Sequence, residues 1–535
     1  MIQESDAPRI ASEVRARVVE DCVESATRGG RPMEQVLNET LFHEKRRLKR
    51  HNGSDEERAF YNEIEYKLPR ASEAELRRML SAVVGRYIRE IEGHFDPRIY
   101  RIATRVLPMG IGALLNAMSA RRVLRDGSIP SFDKRILIQG EIEPLHRLAE
   151  RGTVLYVPTH SSNLDSIILG SGLNQLGLPP ATYGAGLNLF GNPIVGFFMR
   201  NLGAYTVDRT KTDPLYRDTL KTYSTVILEY GRHQLFFPGG TRGRSGAVET
   251  YLKKGLLGTA LEAYGQQLRR ERDRRLYIVP VTVNYPLVLE ASTLIDDYLQ
   301  DSGRARYIIE DDEFSQLDRW AAYGKGLFRL DMHIHLRFGA ALDPFGNRVT
   351  PKGDSLDPSG RVIDPAGYLK LCDEVVADDA RDAEYTRMLA REIVASYKSN
   401  NIACTTHVAC FALFHQFWKQ LQPPDVYRFL RLLGEHVSVR VEDFLPTLDA
   451  LLEELRARAE AGEIQLDPTA HRSSAEAVLE HALRPLASYH ARPVVQRHGD
   501  RLEVGDANLL FYYRNRLEGY GLLGEQPVVQ QRHEA

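Results

Sequence analysis

A histidine and an aspartate lie five positions apart, directly after an apolar segment of the chain. The apolar residues are Val154–Pro158, and the segment that follows runs from His160 to Asp165. This apolar run predicts a β-strand, and helical periodicity begins at about Asn163, so the two side chains can meet across a tight turn. A neutral imidazole can take a proton from an alcohol while a carboxylate on its other nitrogen fixes the tautomer and stabilises the imidazolium. The pair predicts hydroxyl chemistry, with a helix-capping Asp and a hydrogen-bonded core His as the alternative.

A second segment with chemical potential is rich in glycine and arginine. The apolar run Leu235–Phe237 breaks into the loop Pro238–Gly246, which carries Arg242 and Arg244. Glycine lets backbone N–H groups approach an anion closely, and guanidinium groups pair with phosphate oxygens. The loop therefore predicts a phosphate site, and a flexible loop with solvated arginines is the alternative.

Short apolar runs alternate with longer amphipathic segments between about residues 131 and 345. This alternation predicts an α/β domain. A short strand after Gly203 leads to Arg209, with Lys211 just after, so a further cation is expected at a strand end. The other predicted strands are residues 135–139, 154–157, 235–237, 277–283 and 333–338.

The sequence on either side of this region is richer in helix formers. Residues 1–130 predict a helical N-terminal domain, and residues 367–535 predict a mostly helical C-terminal domain. Within the latter, helices are expected over about 368–459 and 475–486, with a hairpin around 494–510. Residues 346–366 are dense in Gly, Pro, Asp and Ser, which predicts a linker or a long loop.

Composition excludes several classes of function. The formal net charge is −2 and the sequence pI is about 6.8, so the chain has no overall basic field for nucleic acid. Its four cysteines include no C-x2-C pair for zinc, and their low number fits a reducing cytosol. The first residues lack the basic start and apolar stretch of a signal peptide.

Membrane contact is expected at the surface only. The sequence has no run of about 20 mostly apolar residues, so no transmembrane helix is predicted. The nearest candidate, residues 106–118, is short and flanked by arginines, and it predicts either contact with a membrane surface or packing on the catalytic domain. The basic run at residues 43–51 predicts a solvated helix face, with contact to anionic lipid as the alternative.

Two further patterns are assigned no catalytic role. His333 and His335 alternate along one predicted strand, a spacing that suits metal ligation, but no third ligand is evident and a packed strand is the stronger interpretation. Aromatic residues at helical spacing over Phe411–Trp418 predict core packing, with an acyl-chain groove as the alternative.

The order and spacing of these segments resemble the glycerol-3-phosphate acyltransferases, the larger glycerol-phosphate branch of the phospholipid-building acyltransferases. The resemblance begins with the H-x4-D motif of His160 and Asp165 and implies a mixed sheet flanked by helices. Fainter similarity extends to Asn400–Asn401, interpreted as a helix start, and to Leu509–Asn515. The other segments that carry the resemblance are residues 184–189, 203–209, 237–244 and 278–285.

The resemblance implies a reaction and a set of site residues. His160 would abstract the proton of a hydroxyl of glycerol 3-phosphate, Asp165 would orient it, and the oxygen would attack the thioester carbonyl of an acyl-CoA or acyl-carrier protein. No metal or other cofactor is implied. Peripheral contact with lipid on the cytoplasmic side of the membrane is expected, and binding of nucleic acid is not. The implied substrate-binding residues are Arg209, Gly240, Thr241, Arg242 and Arg244.

One position departs from the pattern of this family. The loop usually reads F-x-E-G-x-R, with a glutamate thought to help bind the acceptor, whereas this chain has Gly239 there. Losing the carboxylate removes an acceptor for substrate hydroxyls and a counter-charge for Arg242. Another carboxylate such as Glu249 could substitute, the acceptor could be a lysophospholipid or another alcohol, or activity could be low. A peripheral membrane protein that keeps the fold without the chemistry is a further alternative.

Overall fold

A computed structural model of the chain describes residues 6–51, 53–93, 95–96, 98–99, 132–187, 203–272, 275–301, 332–434 and 437–524. The apolar segment at residues 106–118 lies outside the described residues, and so do the boundary expected near residue 130 and the last two positions of the segment 184–189. The expected domain boundaries remain predictions.

One mixed sheet forms the centre of the α/β region, and this confirms the expected fold class. Its strand order is β1-β7-β6-β2-β5-β3-β4 among the described residues. Strand β2 runs parallel to both of its neighbours, while β7 runs antiparallel to β6 and parallel to β1. The strands are β1 Ile136–Gly140, β2 Gly152–Pro158, β3 Thr182–Gly186, β4 Ala204–Val207, β5 Gln234–Leu235, β6 Arg275–Asn284 and β7 Ile334–Phe338.

The central strands are apolar because helices cover both of their faces. Every residue of β6 after Arg275 is buried, and so is every residue of β2 after Gly152. All of the strands expected from apolar runs are present, and β3 is a strand that the sequence did not predict. The helices of this region are α5 Ile142–Arg151, α6 Asp165–Gln175, α7 Pro214–Glu229, α8 Lys254–Arg269 and α9 Ala291–Asp301.

The described N-terminal residues are helical, as predicted, and pack on α7. Asp213 caps α7 by accepting a hydrogen bond from the backbone N–H of Leu215. Its other oxygen accepts from the hydroxyls of Thr40 and Tyr87, which ties two N-terminal helices to the α/β region. The basic run lies on α2, although Glu44 and Leu48 within it are buried. The helices are α1 Ala7–Thr27, α2 Met33–Arg50, α3 Asp55–Lys67 and α4 Glu73–Ile91.

The described C-terminal residues are mostly helical, also as predicted. The helices are α10 Asp379–Asn400, α11 Thr405–Leu421, α12 Val426–Leu433, α13 Val441–Glu460, α14 Pro468–Arg472, α15 Ala475–Ser488 and α16 Ala507–Arg514. Short strands interrupt and flank them: β8 Ser355–Leu356, β9 Val362–Ile363, β10 Lys370–Leu371, β11 Glu374–Val375, β12 Ile402–Ala403, β13 Ser438–Arg440, β14 Gln465–Leu466, β15 Val495–His498 and β16 Arg501–Val504.

Three details of this region differ from the predictions. Asn400 ends α10 rather than starting a helix. The hairpin of β15 and β16 ends at Val504, because the side chain of Asp506 caps a new helix by accepting from the N–H of Leu509. Residues 368–459 are not continuously helical, since β10 to β13 lie among them.

The core joins the sheet to the C-terminal helices. A single buried apolar cluster includes residues from Ile136 to Leu522. Phe411, Phe414 and Phe417 of α11 are buried in it, which confirms the interpretation of the aromatic segment as core. No helix in the described part of the chain is long and apolar enough to cross a membrane.

Candidate active site

The H-x4-D segment forms the turn between β2 and α6. His160 follows the end of the strand, and Asp165 is the first residue of the helix, two positions later than the start expected at about Asn163. The imidazole Nδ1 lies 2.9 Å from Oδ2 of Asp165. The structure therefore brings the two predicted side chains together across the turn.

The Asp165 carboxylate is buried and accepts hydrogen bonds from several donors. Its Oδ2 accepts from the backbone N–H groups of Ser161 and Ser162 at 2.7 and 2.9 Å, and its Oδ1 accepts from the Tyr285 hydroxyl at 2.6 Å. Because the group acts only as an acceptor, the His160 Nδ1 donates to it. The lone pair of the imidazole is then on Nε2, as a base requires.

The imidazole of His160 is partly exposed and held against an aromatic ring. Its side chain is 16% exposed, so the ring is not sealed in the interior. It stacks on Phe237 at a centroid distance of 4.1 Å and an interplanar angle of 24°. The backbone carbonyl of His160 accepts from the N–H of Gly243 at 2.7 Å, which ties the glycine-rich loop to the histidine.

A buried glutamate that the sequence did not predict links this turn to Arg242. Glu290 accepts from the Ser162 hydroxyl at 2.9 Å and from the backbone N–H of Asn163 at 3.0 Å. It also lies 3.4 Å from Nη1 of Arg242. Burial raises the pKa of this carboxyl. Glu290 precedes α9 directly, and its position after an apolar segment carried no signal of function.

Three cations lie near one another beside the glycine-rich loop. Desolvation and the charge of Arg242 lower the pKa of Arg209, and desolvation and the charge of Arg209 lower the pKa of Lys253. Lys253 packs on Gly240, since a Cβ there would lie 2.8 Å from its Nζ. Gly240 has a φ of +77°, a conformation that glycine adopts without strain. The structure thus adds Lys253 to the two predicted arginines.

The remaining predicted loop residues and Lys211 differ in their surroundings. Thr241 is exposed, and Arg244 is partly buried. Lys211 is buried, with its Nζ 2.6 Å from Oε2 of Glu90 and 3.4 Å from Oε1 of Glu44. Its ammonium group therefore pairs with carboxylates of the N-terminal helices.

This region of the chain matches a known family. Residues 140–284 match the family model described as Acyltransferase. This matched segment, residues 140–284, is the acyltransferase domain of the chain. The segment is similar to a glycerol-3-phosphate acyltransferase of Pseudomonas fluorescens (strain Pf0-1), at 33% identity over 157 residues, which is 29% of this chain and 18% of the relative.

Other relatives cover the acyltransferase domain to a similar extent. The glycerol-3-phosphate acyltransferase of Aeromonas hydrophila subsp. hydrophila is 33% identical over 153 residues, 28% of this chain and 18% of the relative. That of Pseudoalteromonas translucida is 29% identical over 186 residues, 34% of this chain and 22% of the relative. The match spans about a fifth of the length of these relatives. A solved 1-acyl-sn-glycerophosphate acyltransferase from Thermotoga maritima aligns at 15% identity with a TM-score of 0.26, covering 55% of this chain and 91% of that chain.

The acyltransferase domain also contains the carboxyl group that the sequence suggested as a substitute at Gly239. A Cβ built on Gly239 would lie 2.5 Å from Oε2 of Glu249 and 2.9 Å from its Cδ. Oε1 of Glu249 accepts from the backbone N–H of His160 at 2.5 Å. Burial, together with the charge of Asp165, raises the pKa of Glu249 to about 8.

A buried arginine from outside the acyltransferase domain contacts the end of β6 and lies near Ser161. Arg516 donates to the carbonyl of Val283 at 3.1 Å and to Oδ1 of Asn284 at 2.8 Å, at the end of β6. It also donates to Oδ1 of Asn401 at 2.8 Å and lies 3.5 Å from the Ser161 hydroxyl. Sequence reasoning missed it because it lies 355 positions after Ser161.

The structure supports a packing role for His335, which lies in β7, whereas the partly buried His333 precedes the strand. His335 is buried in that strand, and burial lowers its pKa to about 4. Within the described residues, no group of three or more His, Cys, Asp or Glu side chains is placed to hold a metal ion.

Proposed function

We propose that this chain is an O-acyltransferase that moves a fatty acyl group from an acyl thioester to a hydroxyl of glycerol 3-phosphate, with His160 as general base. The observation that carries the proposal is the hydrogen bond between His160 Nδ1 and buried Asp165, on a ring that keeps an exposed edge. The domain match and the names of the relatives support acyl transfer in lipid synthesis.

The reaction needs one proton acceptor and an activated acyl group. Nε2 of His160 takes the hydroxyl proton as the alcohol oxygen attacks the thioester carbonyl. The tetrahedral intermediate then collapses, the C–S bond breaks, and the imidazolium returns the proton to the thiolate. Asp165 stabilises the imidazolium in between. A positioned general base contributes about 10²- to 10⁴-fold, and holding the alcohol in line contributes further.

The cluster of Arg209, Arg242 and Lys253 is the proposed phosphate site. Desolvation, and after it repulsion from one neighbouring positive charge, lowers the pKa values of Arg209 and Lys253. An anion bound among them removes that repulsion, which favours a phosphorylated acceptor over an uncharged alcohol. Gly240, Thr241 and Arg244 belong to the same loop and are proposed to line the site.

The donor and the location are part of the same proposal. An acyl-CoA or an acyl-carrier protein would supply the thioester, with no further cofactor, and the enzyme would contact membrane lipid peripherally on its cytoplasmic side. A lysophospholipid is a second candidate acceptor, because position 239 has no side-chain carboxylate that could accept from polyol hydroxyls.

Product analysis tests the proposal. The purified protein is incubated with a long-chain acyl-CoA or acyl-carrier protein and glycerol 3-phosphate, a lysophospholipid or an uncharged alcohol, and the products are identified by mass spectrometry. We expect a monoacylated glycerol phosphate, formed at least about 10²-fold more slowly by His160→Ala. His471→Ala, at an exposed histidine of α14, is the matched control and should retain activity. Wild-type turnover no higher than that of His160→Ala with every acceptor would end the enzyme proposal.

A further inference from the structure

The carboxyl group of Glu249 packs directly against Gly239, next to the main chain of the proposed base. The Cβ of any residue other than glycine at position 239 would lie 2.5 Å from Oε2, 2.9 Å from Cδ and 3.3 Å from Oε1 of Glu249. Carbon atoms do not approach to such distances without displacement. The Glu249 carboxyl therefore fills the space that a side chain at position 239 would need.

The same carboxyl contacts the main chain of His160. Its Oε1 accepts from the His160 N–H at 2.5 Å, while the N–H of Gly243 donates to the His160 carbonyl at 2.7 Å. The two arms of the loop between β5 and α8 thus hold both main-chain polar groups of the histidine. Asp165 holds its Nδ1, so the position and the tautomer of the ring are fixed separately.

The other oxygen of Glu249 lies in a buried and charged environment. Oε2 is buried without a hydrogen-bond partner among the described residues. Asp165 and Arg516 are the charged groups that act on it, and the pKa of about 8 keeps the group mostly protonated at neutral pH. A neutral carboxylic acid can lie near the Asp165 carboxylate without the repulsion of two like charges.

We propose that Glu249 is a positioning residue that seats the main chain of His160, and that Gly239 is required because it leaves room for the Glu249 carboxyl. This inference rests on the proposed role of His160 as base. It assigns Glu249 no contact with substrate. Loss of the Glu249 carboxyl should therefore lower kcat, because the base is displaced, and leave KM for the acceptor nearly unchanged.

A double-mutant cycle tests the shared volume. Glu249→Ala and Gly239→Ala should each lower kcat by about 10- to 100-fold, since each ends the hydrogen bond to His160 N–H, with KM changing less than about 3-fold. The double variant should be no slower than Glu249→Ala alone, because Gly239→Ala acts only by displacing the carboxyl. Glu249→Gln keeps an acceptor oxygen and should recover most of kcat. Glu150→Ala, at an exposed glutamate of α5, is the control.

A spectroscopic measurement keeps this inference separate from the proposed function. In protein labelled with ¹⁵N-histidine, the His160 amide signal, assigned with His160→Ala, should lie downfield and move upfield in Glu249→Ala and Gly239→Ala. If the wild-type protein has no activity, the proposed function fails while this signal still decides the contact. Wild-type kcat in Gly239→Ala, additive losses in the double variant, or an unmoved amide signal would each overturn the inference.

Discussion

At the scale of single residues, burial of Glu249 makes the stability of the protein depend on pH. Burial raises the pKa of this carboxyl from its ordinary value of 4.5 to about 8 in the folded chain. Between these two pH values the folded protein holds a proton that the unfolded chain releases. The free energy of unfolding must therefore fall as the pH rises through that window, since stability falls wherever the native state binds more protons.

The variant Glu249→Gln removes this contribution. We expect the stability of the wild-type protein to decline between about pH 5 and pH 8 by at most about 1.4 kcal/mol per pH unit more than that of Glu249→Gln. Urea unfolding followed by circular dichroism at several pH values measures the difference. Parallel curves for the two proteins would show that Glu249 ionises normally in the folded state.

Residues close in sequence were predictable, and residues joined only by the fold were not. His160 and Asp165 lie five positions apart across one turn, so strand and helix periodicity was enough to predict their contact. Tyr285 reaches Asp165 from 120 positions away, and Glu290 reaches Ser162 from 128. No local pattern marks such partners, because tertiary packing alone creates the contact.

At the scale of elements, the turn between β2 and α6 is held from outside by Glu290. This carboxyl accepts from Ser162 and Asn163 and pairs with Arg242, so it joins the turn that carries His160 to the glycine-rich loop. Apolar runs predicted the other strands, because buried parallel strands have nearly continuous apolar sequences. The short β3 could not be predicted from its sequence, because it forms through pairing with β5. The end of the C-terminal hairpin could not be predicted either, because a helix cap sets it.

Substituting Glu290 tests how far this link supports both elements. Glu290→Ala removes the acceptor of the buried Ser162 hydroxyl and of the Asn163 N–H, together with the ion pair to the partly exposed Arg242, so we expect the free energy of unfolding to fall by about 2–4 kcal/mol. Glu290→Gln, which keeps acceptor oxygen but loses the ion pair, should lose less. Chemical denaturation measures both, and Glu143→Ala, at an exposed position of α5, should match the wild type. Equal stability of Glu290→Ala and Glu143→Ala would contradict a supporting role.

At the scale of the whole molecule, residues far outside the acyltransferase domain contact the site. Arg516 reaches the end of β6 and the residue after α10, and its guanidinium is buried among neutral acceptors. Desolvation lowers its pKa. Its charge favours the ionised forms of nearby carboxyl groups, including Glu249. The C-terminal segment therefore contacts the end of β6 directly, which the helical pattern of its sequence did not indicate.

Replacing Arg516 with methionine tests this dependence. The variant removes the Arg516 donor to Oδ1 of Asn401 and one of the two donors to Oδ1 of Asn284, which keeps the N–H of Ile402. We therefore expect a loss of about 2–4 kcal/mol in the free energy of unfolding and at least about a 10-fold lower kcat. Arg516→Lys keeps the charge but not the planar fork and should lie between the two. Arg492→Met, at an exposed arginine, is the control. If Arg516→Met unfolds and turns over like that control, the C-terminal segment packs beside the site without supporting it.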